Sequence, residues 1–542
     1  MRLMRRVLVA AIALVVALSC AATARPAVTF VLKGHGWGHG LGLAQYGAYG
    51  YARDEGRGYQ WIVQHYYTGT TLGPAGVGRV RVLLANGRSR LSIGSASSFT
   101  VTDANGRTFN LTAGTHVLRP NMRIVTANGT PRVLASPVRF TPNGSPLTLS
   151  GNGYRGLLRV RSQGGLLSAV NDVPLEPYVK GVIAWEMPSS WHVEALKAQA
   201  VVARTFGLVS RKAGSWFDLY DDTRSQVYGG IRAETSRTND AVDATAGEVV
   251  RAGGALAWTV YHSTSGGRTA SREDEWGPPA IPYLVGVEDA HDSISPHHNW
   301  GSTDAEVDCP GTGRDCVWSG AALKRALGGR APRSITDFAV TARNASSRVE
   351  TARVTGASGS TNITGATLRS VLSLRSTWFT IGVLRLTGGG SIERGQARTL
   401  RALARNLTSA TLQRKPAGSA TWTDVRQIQG SVNVSVRPSV TTLYRLTSPA
   451  ASTGAVRVTV RPQPRFVSRH AAGSLSGVAS TGEVVQVQRR TSTGSWVTVA
   501  IALTREDGTW RALLDLSTGV YRAYVASGGV AGTSPTLTVV AG

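Results

Sequence analysis

The run Val182-Ile183-Ala184-Trp185-Glu186-Met187-Pro188 holds the side chain of this sequence best placed for chemistry. Glu186 is a lone carboxylate, and its neighbours Trp185, Met187 and Pro188 disfavour its charged form. That condition keeps a general acid protonated near neutral pH. Asp274 and Glu275, beside Trp276, are the candidates for a second carboxylate if the chemistry needs two. Cys309 and Cys316 flank Pro310-Gly311-Thr312-Gly313. Such a pair closes a short disulfide loop, worth about 2–4 kcal/mol, or it supplies half of a metal site, for which His291, His297 and His298 lie nearby.

The compartment bears on that choice. Residues 1–24 read as a signal peptide: Arg2, Arg5 and Arg6 precede the apolar run Val7 to Leu18, and Ala22-Thr23-Ala24 offers small residues for cleavage. An exported chain favours the disulfide. Cleavage after Ala24 removes Cys20; the alternative is a lipid anchor at Cys20, whose preceding Ala17-Leu18-Ser19 matches a lipobox loosely. No later segment has about 18 uninterrupted apolar residues, the length a membrane-spanning helix needs.

The formal net charge is +27, from 59 Lys and Arg against 32 Asp and Glu, and loss of Arg2, Arg5 and Arg6 lowers it to +24. Only six of the basic residues are lysine, a bias that makes the Arg excess weak evidence by itself. The charges occur singly, without the basic runs interleaved with aromatics that a nucleic-acid groove needs. Outside the membrane the polyanions available are cell-wall polymers and lipid headgroups.

The elements that must position Glu186 follow from periodicity. From 77 to 173 short alternating runs such as Val80-Arg81-Val82-Leu83-Leu84 predict a β-rich part, with Asn86-Gly87, Asn105-Gly106, Asn128-Gly129 and Asn143-Gly144 as turns. Ser190 then caps a predicted helix running to about Lys212, with Glu194 in its first turn and Arg211 and Lys212 in its last. Glu186 would sit on the loop before that helix. From about Leu384 the chain repeats: Leu412-Gln413-Arg414, Trp422 and Leu443-Tyr444-Arg445 recur as Val487-Gln488-Arg489, Trp496 and Val520-Tyr521-Arg522. Two β-sandwiches of immunoglobulin type, 384–462 and 463–542, fit this pattern. Their Trp and Tyr residues are core anchors or a platform for sugars.

Several segments now resemble one family. Pro174-Leu175-Glu176-Pro177-Tyr178-Val179-Lys180-Gly181-Val182, Glu186-Met187-Pro188 and Glu194-Ala195-Leu196-Lys197-Ala198-Gln199-Ala200 look like the signature of the SpoIID/LytB family of bacterial cell-wall proteins. Ser225-Gln226-Val227-Tyr228-Gly229-Gly230, Ser263-Thr264-Ser265-Gly266-Gly267-Arg268-Thr269, and Trp276 followed by Pro282-Tyr283-Leu284 continue the likeness. So does Gly34-His35-Gly36-Trp37-Gly38-His39-Gly40-Leu41-Gly42-Leu43-Ala44-Gln45-Tyr46-Gly47-Ala48 with His65-Tyr66-Tyr67-Thr68-Gly69. In the sporulation members this last segment lies near the C-terminus of the domain, whereas here it comes first, a circular permutation that leaves the core unchanged if 30–73 packs in the same place. Ser225 stands where some relatives carry a zinc-binding Cys.

The resemblance implies an α+β fold: a SpoIID-like domain over 25–383, made of the segment 30–73, the β-rich part 77–173 and catalytic motifs over 174–300. It implies an extracytoplasmic lytic transglycosylase acting on peptidoglycan; with Ser225 in place of that Cys, no metal or cofactor is expected here. In that chemistry Glu186 alone protonates the leaving oxygen and then takes a proton from the sugar's own C6 hydroxyl, which closes a 1,6-anhydro ring. The resemblance marks Arg204 as functional, to hold a substrate oxygen or orient Glu186. Gln226, Tyr228, Ser263, Thr264, Gly266, Gly267 and Thr269 become candidate sugar contacts, and His39 either a cleft residue or a structural one. The partners implied are glycan strands, anionic wall polymers and, in members that act as non-catalytic modifiers, a cell-wall amidase.

Overall fold

The computed structural model describes residues 28–76, 78–301, 316–470, 473–480, 482–527 and 530–540, so the proposed signal peptide and Cys309 lie outside the described residues. The fold is α+β. Its helical centre is α4 (Val193–Val209), introduced after α1 (Gln45–Asp54), α2 (Tyr59–Tyr66) and α3 (Leu175–Glu186) and followed by α5 (Ser236–Ala244). Alanines at 195, 198, 200 and 203 leave α4 apolar around most of its circumference, as suits a helix covered on several sides. One side meets Ala48, Tyr51, Ile62, Val63 and Tyr66 of α1 and α2. Another joins Tyr178, Val182 and Ile183 of α3 in the core of the β-rich part, beside Phe99, Phe140, Leu158 and Val160.

The cap of α4 is His192, whose Nδ1 accepts from the Glu194 N–H at 3.3 Å. Ser190 is excluded because Pro188 to Trp191 forms a turn, closed by the Trp191 N–H on the Pro188 carbonyl at 3.0 Å. The helix stops short of Lys212, whose N–H goes instead to Asp218 Oδ1 at 2.9 Å. α3 ends at Glu186 because Pro188 forces Met187 into an extended conformation. Glu186 is therefore the last residue of a helix and not a loop residue ahead of one.

Strands from Arg79 to Pro174 form a seven-stranded sheet, shared with Leu219–Tyr220, a four-stranded sheet and a two-stranded one. Asn86-Gly87 makes no turn: it lies inside the strand Arg79–Arg88, opposite an irregularity in the pairing with Leu166–Pro174. The Gly-rich segment is woven into the same body. Leu43–Ala44 pairs in parallel with Tyr261–His262, Trp37 bridges Thr264, and Gly38, at φ +125°, lies so close that a Cβ there would stand 2.6 Å from the His262 Cβ.

A further unit was not visible in the sequence. Val28–His35 pairs with Phe379–Thr387, Asn299–Trp300 and Val317–Ser319. Phe30, Leu32, Trp300, Phe338, Leu368 and Phe379 fill its core. The strand Phe379–Thr387 crosses the expected boundary at 384 and pairs onward with Arg398–Arg405, the first sandwich. Two sheets enclose the core of that sandwich, around Leu400, Leu412, Tyr444 and Val458, and two more enclose that of the second, around Leu475, Val487, Trp510 and Tyr521. Every assigned element among the described residues from 390 onward is a strand. Tyr444 and Tyr521 are core residues, whereas Trp422 and Trp496 are only half-buried and belong to neither core.

Candidate active site

Glu186 is held where three segments meet. Its Oε1 accepts from the Val227 N–H at 2.8 Å, on the loop that folds back over the end of α3. Gln45, the first residue of α1, and Tyr261, on the strand beside it, also face the carboxylate and favour its charged form. Burial outweighs all three and raises the carboxyl above its ordinary range. The place on the helix contributes too, since the exposed carbonyls at a helix C-terminus repel an anion by about 0.3–1 kcal/mol. No ion pair to Glu186 is present among the described residues, so no cation adds to those three groups. Trp185 does not provide the shielding the sequence suggested: it is 43% exposed, with Arg232 4.9 Å above its ring.

Tyr261 links the acid to the Gly-rich segment. Its hydroxyl donates to Gln226 Oε1 at 3.0 Å, and Gln226 Nε2 donates to the Tyr178 hydroxyl at 2.6 Å. The next residue, His262, donates from Nδ1 to the Leu41 carbonyl at 3.1 Å, and its buried Nε2 has no partner. His39 lies 5.5 Å from the His262 ring and 5.0 Å from that of Trp276. Burial above all, with Arg369 nearby, brings His39 down to about 3, so it is a neutral imidazole at physiological pH. Its Nδ1 accepts from the Leu41 N–H at 3.0 Å, which makes it part of the frame of the Gly-rich segment.

Several expected contacts are structural instead. Arg204 is fully buried and faces away from Glu186: Nε and Nη2 grip Glu176 at 2.9 and 2.6 Å, and Nη1 and Nη2 reach the Glu248 and Val242 carbonyls. It staples α4 to the start of α3, with no donor aimed at the acid. Gln226 spends its amide inside the fold, as above. Tyr228 is a core residue whose hydroxyl donates to Asn171 Oδ1 at 2.7 Å. Thr264 and Thr269 are buried, the first on Ser295 Oγ at 2.5 Å, the second on Val287. Ser263 gives its carbonyl to the Tyr46 N–H. Gly266 and Gly267, both at positive φ, make the turn that lets the Gly266 N–H reach Asp292 Oδ2 at 2.9 Å.

That turn rests on two acids the sequence reading missed. Asp292 accepts from the Ser265 and Gly266 N–H groups and meets His298 Nδ1 at 3.1 Å. Asp289 accepts from the Tyr66 and Ser265 hydroxyls, at 2.9 and 2.7 Å. Burial first, and then the charge of Asp292, raise Asp289 to about 7. Nothing local in the sequence separates such buried acids from solvated ones. Asp274 and Glu275 serve the neighbouring unit, on Ser346 and Thr377 respectively. His291 is held by Asp54 and Glu55 and His297 lies edge-on to Trp37, so the histidines considered for a metal have other roles. Among the described residues no His, Cys, Asp and Glu cluster suits a metal. Cys316 is disulfide-bonded.

With this geometry in view, the likeness to known proteins can be placed. Residues 163–251, which include Glu186 and the Val227 loop, match the family model SpoIID, stage II sporulation protein. Over these residues the chain is similar to the SpoIID family. The SpoIID match leaves out the Gly-rich segment and Tyr261, both of which the fold brings to Glu186. The amidase enhancer of Bacillus subtilis is 43% identical over 114 residues, 21% of this chain and 15% of that protein. Stage II sporulation protein D of the same organism is 38% identical over 150 residues, 24% of this chain and 43% of that one. An uncharacterised Brachyspira hyodysenteriae protein is 38% identical over 143 residues, 26% of this chain and 39% of that one. The chain thus spans less than half the length of each relative.

Proposed function

We propose that the protein is an exported peptidoglycan lytic transglycosylase with Glu186 as its single general acid and base. The observation that carries this reading is a protonation-prone carboxyl at a helix end, without an ionic partner and with one backbone N–H to steady its anion. Protonated, Glu186 delivers its proton to the glycosidic oxygen between N-acetylmuramic acid and N-acetylglucosamine. Ionised, and held by Val227, it takes the proton of the C6 hydroxyl that attacks the anomeric carbon. One carboxylate serves both steps because the substrate supplies the nucleophile. Asp274 and Glu275 are engaged elsewhere, which suits a mechanism without a second acid.

The test is release of 1,6-anhydro sugars from purified peptidoglycan. Glu186→Gln keeps the shape and can still accept the Val227 N–H, but it cannot deliver a proton, so release should fall about 10² to 10⁴-fold. Parent protein that releases no anhydro product overturns the reading.

A second reading rests on the relative named amidase enhancer: a wall-binding modifier that stimulates a partner amidase. It requires complementary surfaces and no proton transfer, so stimulation would survive Glu186→Gln. Localisation outside the membrane suits both readings. Among the described residues no helix is long and apolar enough to cross a membrane.

A further inference from the structure

The two sandwiches carry the same side-chain arrangement in the same register. In the first, Gln413 is paired across the sheet with Arg445. Arg445 Nε donates to Gln413 Oε1 at 2.9 Å, and its guanidinium lies 4.3 Å from the centre of the Trp422 ring. In the second, Gln488 is paired with Arg522, Arg522 Nε donates to Gln488 Oε1 at 2.8 Å, and the guanidinium lies 4.3 Å from the Trp496 ring. Neither tryptophan belongs to a sandwich core, although the tyrosines repeated alongside them do. A core requirement would account for the tyrosines and leaves the Gln, Arg and Trp unexplained.

We propose that the two Gln–Arg–Trp triads are binding sites for an anionic glycan. A half-exposed indole offers an apolar face against which the C–H face of a pyranose can lie. The guanidinium, fixed by the glutamine through Nε, keeps its Nη donors for a carboxylate or phosphodiester on the same polymer. Lys415 adds a second cation 5.4 Å from the Trp422 ring, and Tyr524 a second ring 5.9 Å from Arg522. The first triad also has Asp424, which accepts from Gln413 Nε2 at 2.8 Å.

Charge complementarity selects the anionic class of glycan. Residues 384–542 hold 19 Lys and Arg against six Asp and Glu, a net +13 and close to half the formal charge of the whole chain. Diffuse charge alone gives salt-dependent attraction without a preferred contact; the triads supply the contact. Two of them on one chain raise the retention of a long polymer beyond that of either site, by effective concentration.

The experiment compares the full chain with Trp422→Ala, Trp496→Ala and the double variant, none of which changes the charge. The probes are hyaluronan, which carries carboxylates, poly(glycerol phosphate), which carries phosphodiesters, and neutral chitin oligomers. The parent should bind one or both anionic polymers and prefer them to chitin; whichever binds identifies the anionic group. Each single variant should bind that polymer roughly twofold to tenfold more weakly, the value of one stacking contact on the indole face, and the double variant should lose more. Arg445→Lys with Arg522→Lys conserves charge and removes the fork, so it should weaken binding too, with the melting temperature unchanged as a check of folding. Equal affinity in the parent and the double Trp variant, or equal binding of chitin, would overturn the proposal. The readout is binding, so it is independent of whether Glu186 cleaves glycans.

Discussion

The backbone N–H of Val227 donates to Glu186 Oε1 at 2.8 Å. This ties the acid at the end of α3 to a loop whose side-chain anchor, Gln226, is clamped between Tyr178 and Tyr261. The proton balance of Glu186 therefore depends on packing several residues away, and a substitution at Tyr261 should be felt there.

Tyr261→Phe removes one of the groups that favours the charged form of Glu186. The carboxyl should rise further, so on the proposed mechanism the alkaline limb of the pH–rate profile moves to higher pH. The same change leaves Gln226 Oε1 unpaired in the interior, at a cost of about 1–3 kcal/mol. A profile measured on glycan release that shifts to lower pH would contradict this account.

Arg204→Met should act on stability alone. It leaves the half-buried Glu176 without its ion partner and takes a donor from each of the Glu248 and Val242 carbonyls, at a cost of about 1–3 kcal/mol. Denaturant unfolding should report the loss. Protein that remains folded should keep its kcat/KM within about twofold; a fall of the size given by Glu186→Gln would restore Arg204 to the chemistry.

Asp289 gives a pH signature in the opposite sense to the usual acidic residue. Its carboxyl rises from 3.8 to about 7 in the fold. Between those values the folded state holds a proton that the unfolded state has lost, so its contribution is full at the acid end and declines as pH rises toward 7. Asp289→Asn should flatten that part of the stability curve, measured as denaturation midpoints from pH 4 to 8. An unchanged slope would assign the dependence to other groups.

Gly38→Ala tests the close passage of the Gly-rich segment past His262. The backbone is at φ +125° and the new methyl would meet the His262 Cβ at 2.6 Å, so destabilisation of at least about 1–3 kcal/mol is expected from the conformation alone. A melting temperature within a degree of the parent would refute the packing described.

The sequence exposed what is local. The Ala- and Val-rich pattern revealed α4, the alternation revealed the strands, and the isolation of Glu186 marked it as the candidate acid. Its position did not follow, because Pro188 counts in the sequence only as a neighbour that disfavours charge, whereas in the fold it ends α3. Arg204 was misplaced for a different reason: a charged side chain on a helix looks alike whether it faces a substrate or the half-buried Glu176, 28 positions away. Gln45 and Tyr261 reach Glu186 only through the pairing of Leu43–Ala44 with Tyr261–His262, a contact between distant stretches that no window of sequence contains. The repeat was legible down to its register, yet which aromatic lies inside each sandwich depended on burial.

The strand Phe379–Thr387 belongs to two bodies at once. It pairs with Val28–His35, which runs straight into the Gly-rich segment beside Glu186, and with Arg398–Arg405 of the first sandwich. Arg405 adds an ion pair to Asp337 at 2.6 Å, and Thr29 a hydrogen bond to the Ser452 carbonyl at 3.1 Å. A swinging tether would let a tethered blade cut anywhere within reach. If both proposals hold, a shared strand acts as a caliper instead: a polymer gripped by the first sandwich would meet the acid at a set offset, so the lengths of the fragments would record the dimensions of the protein.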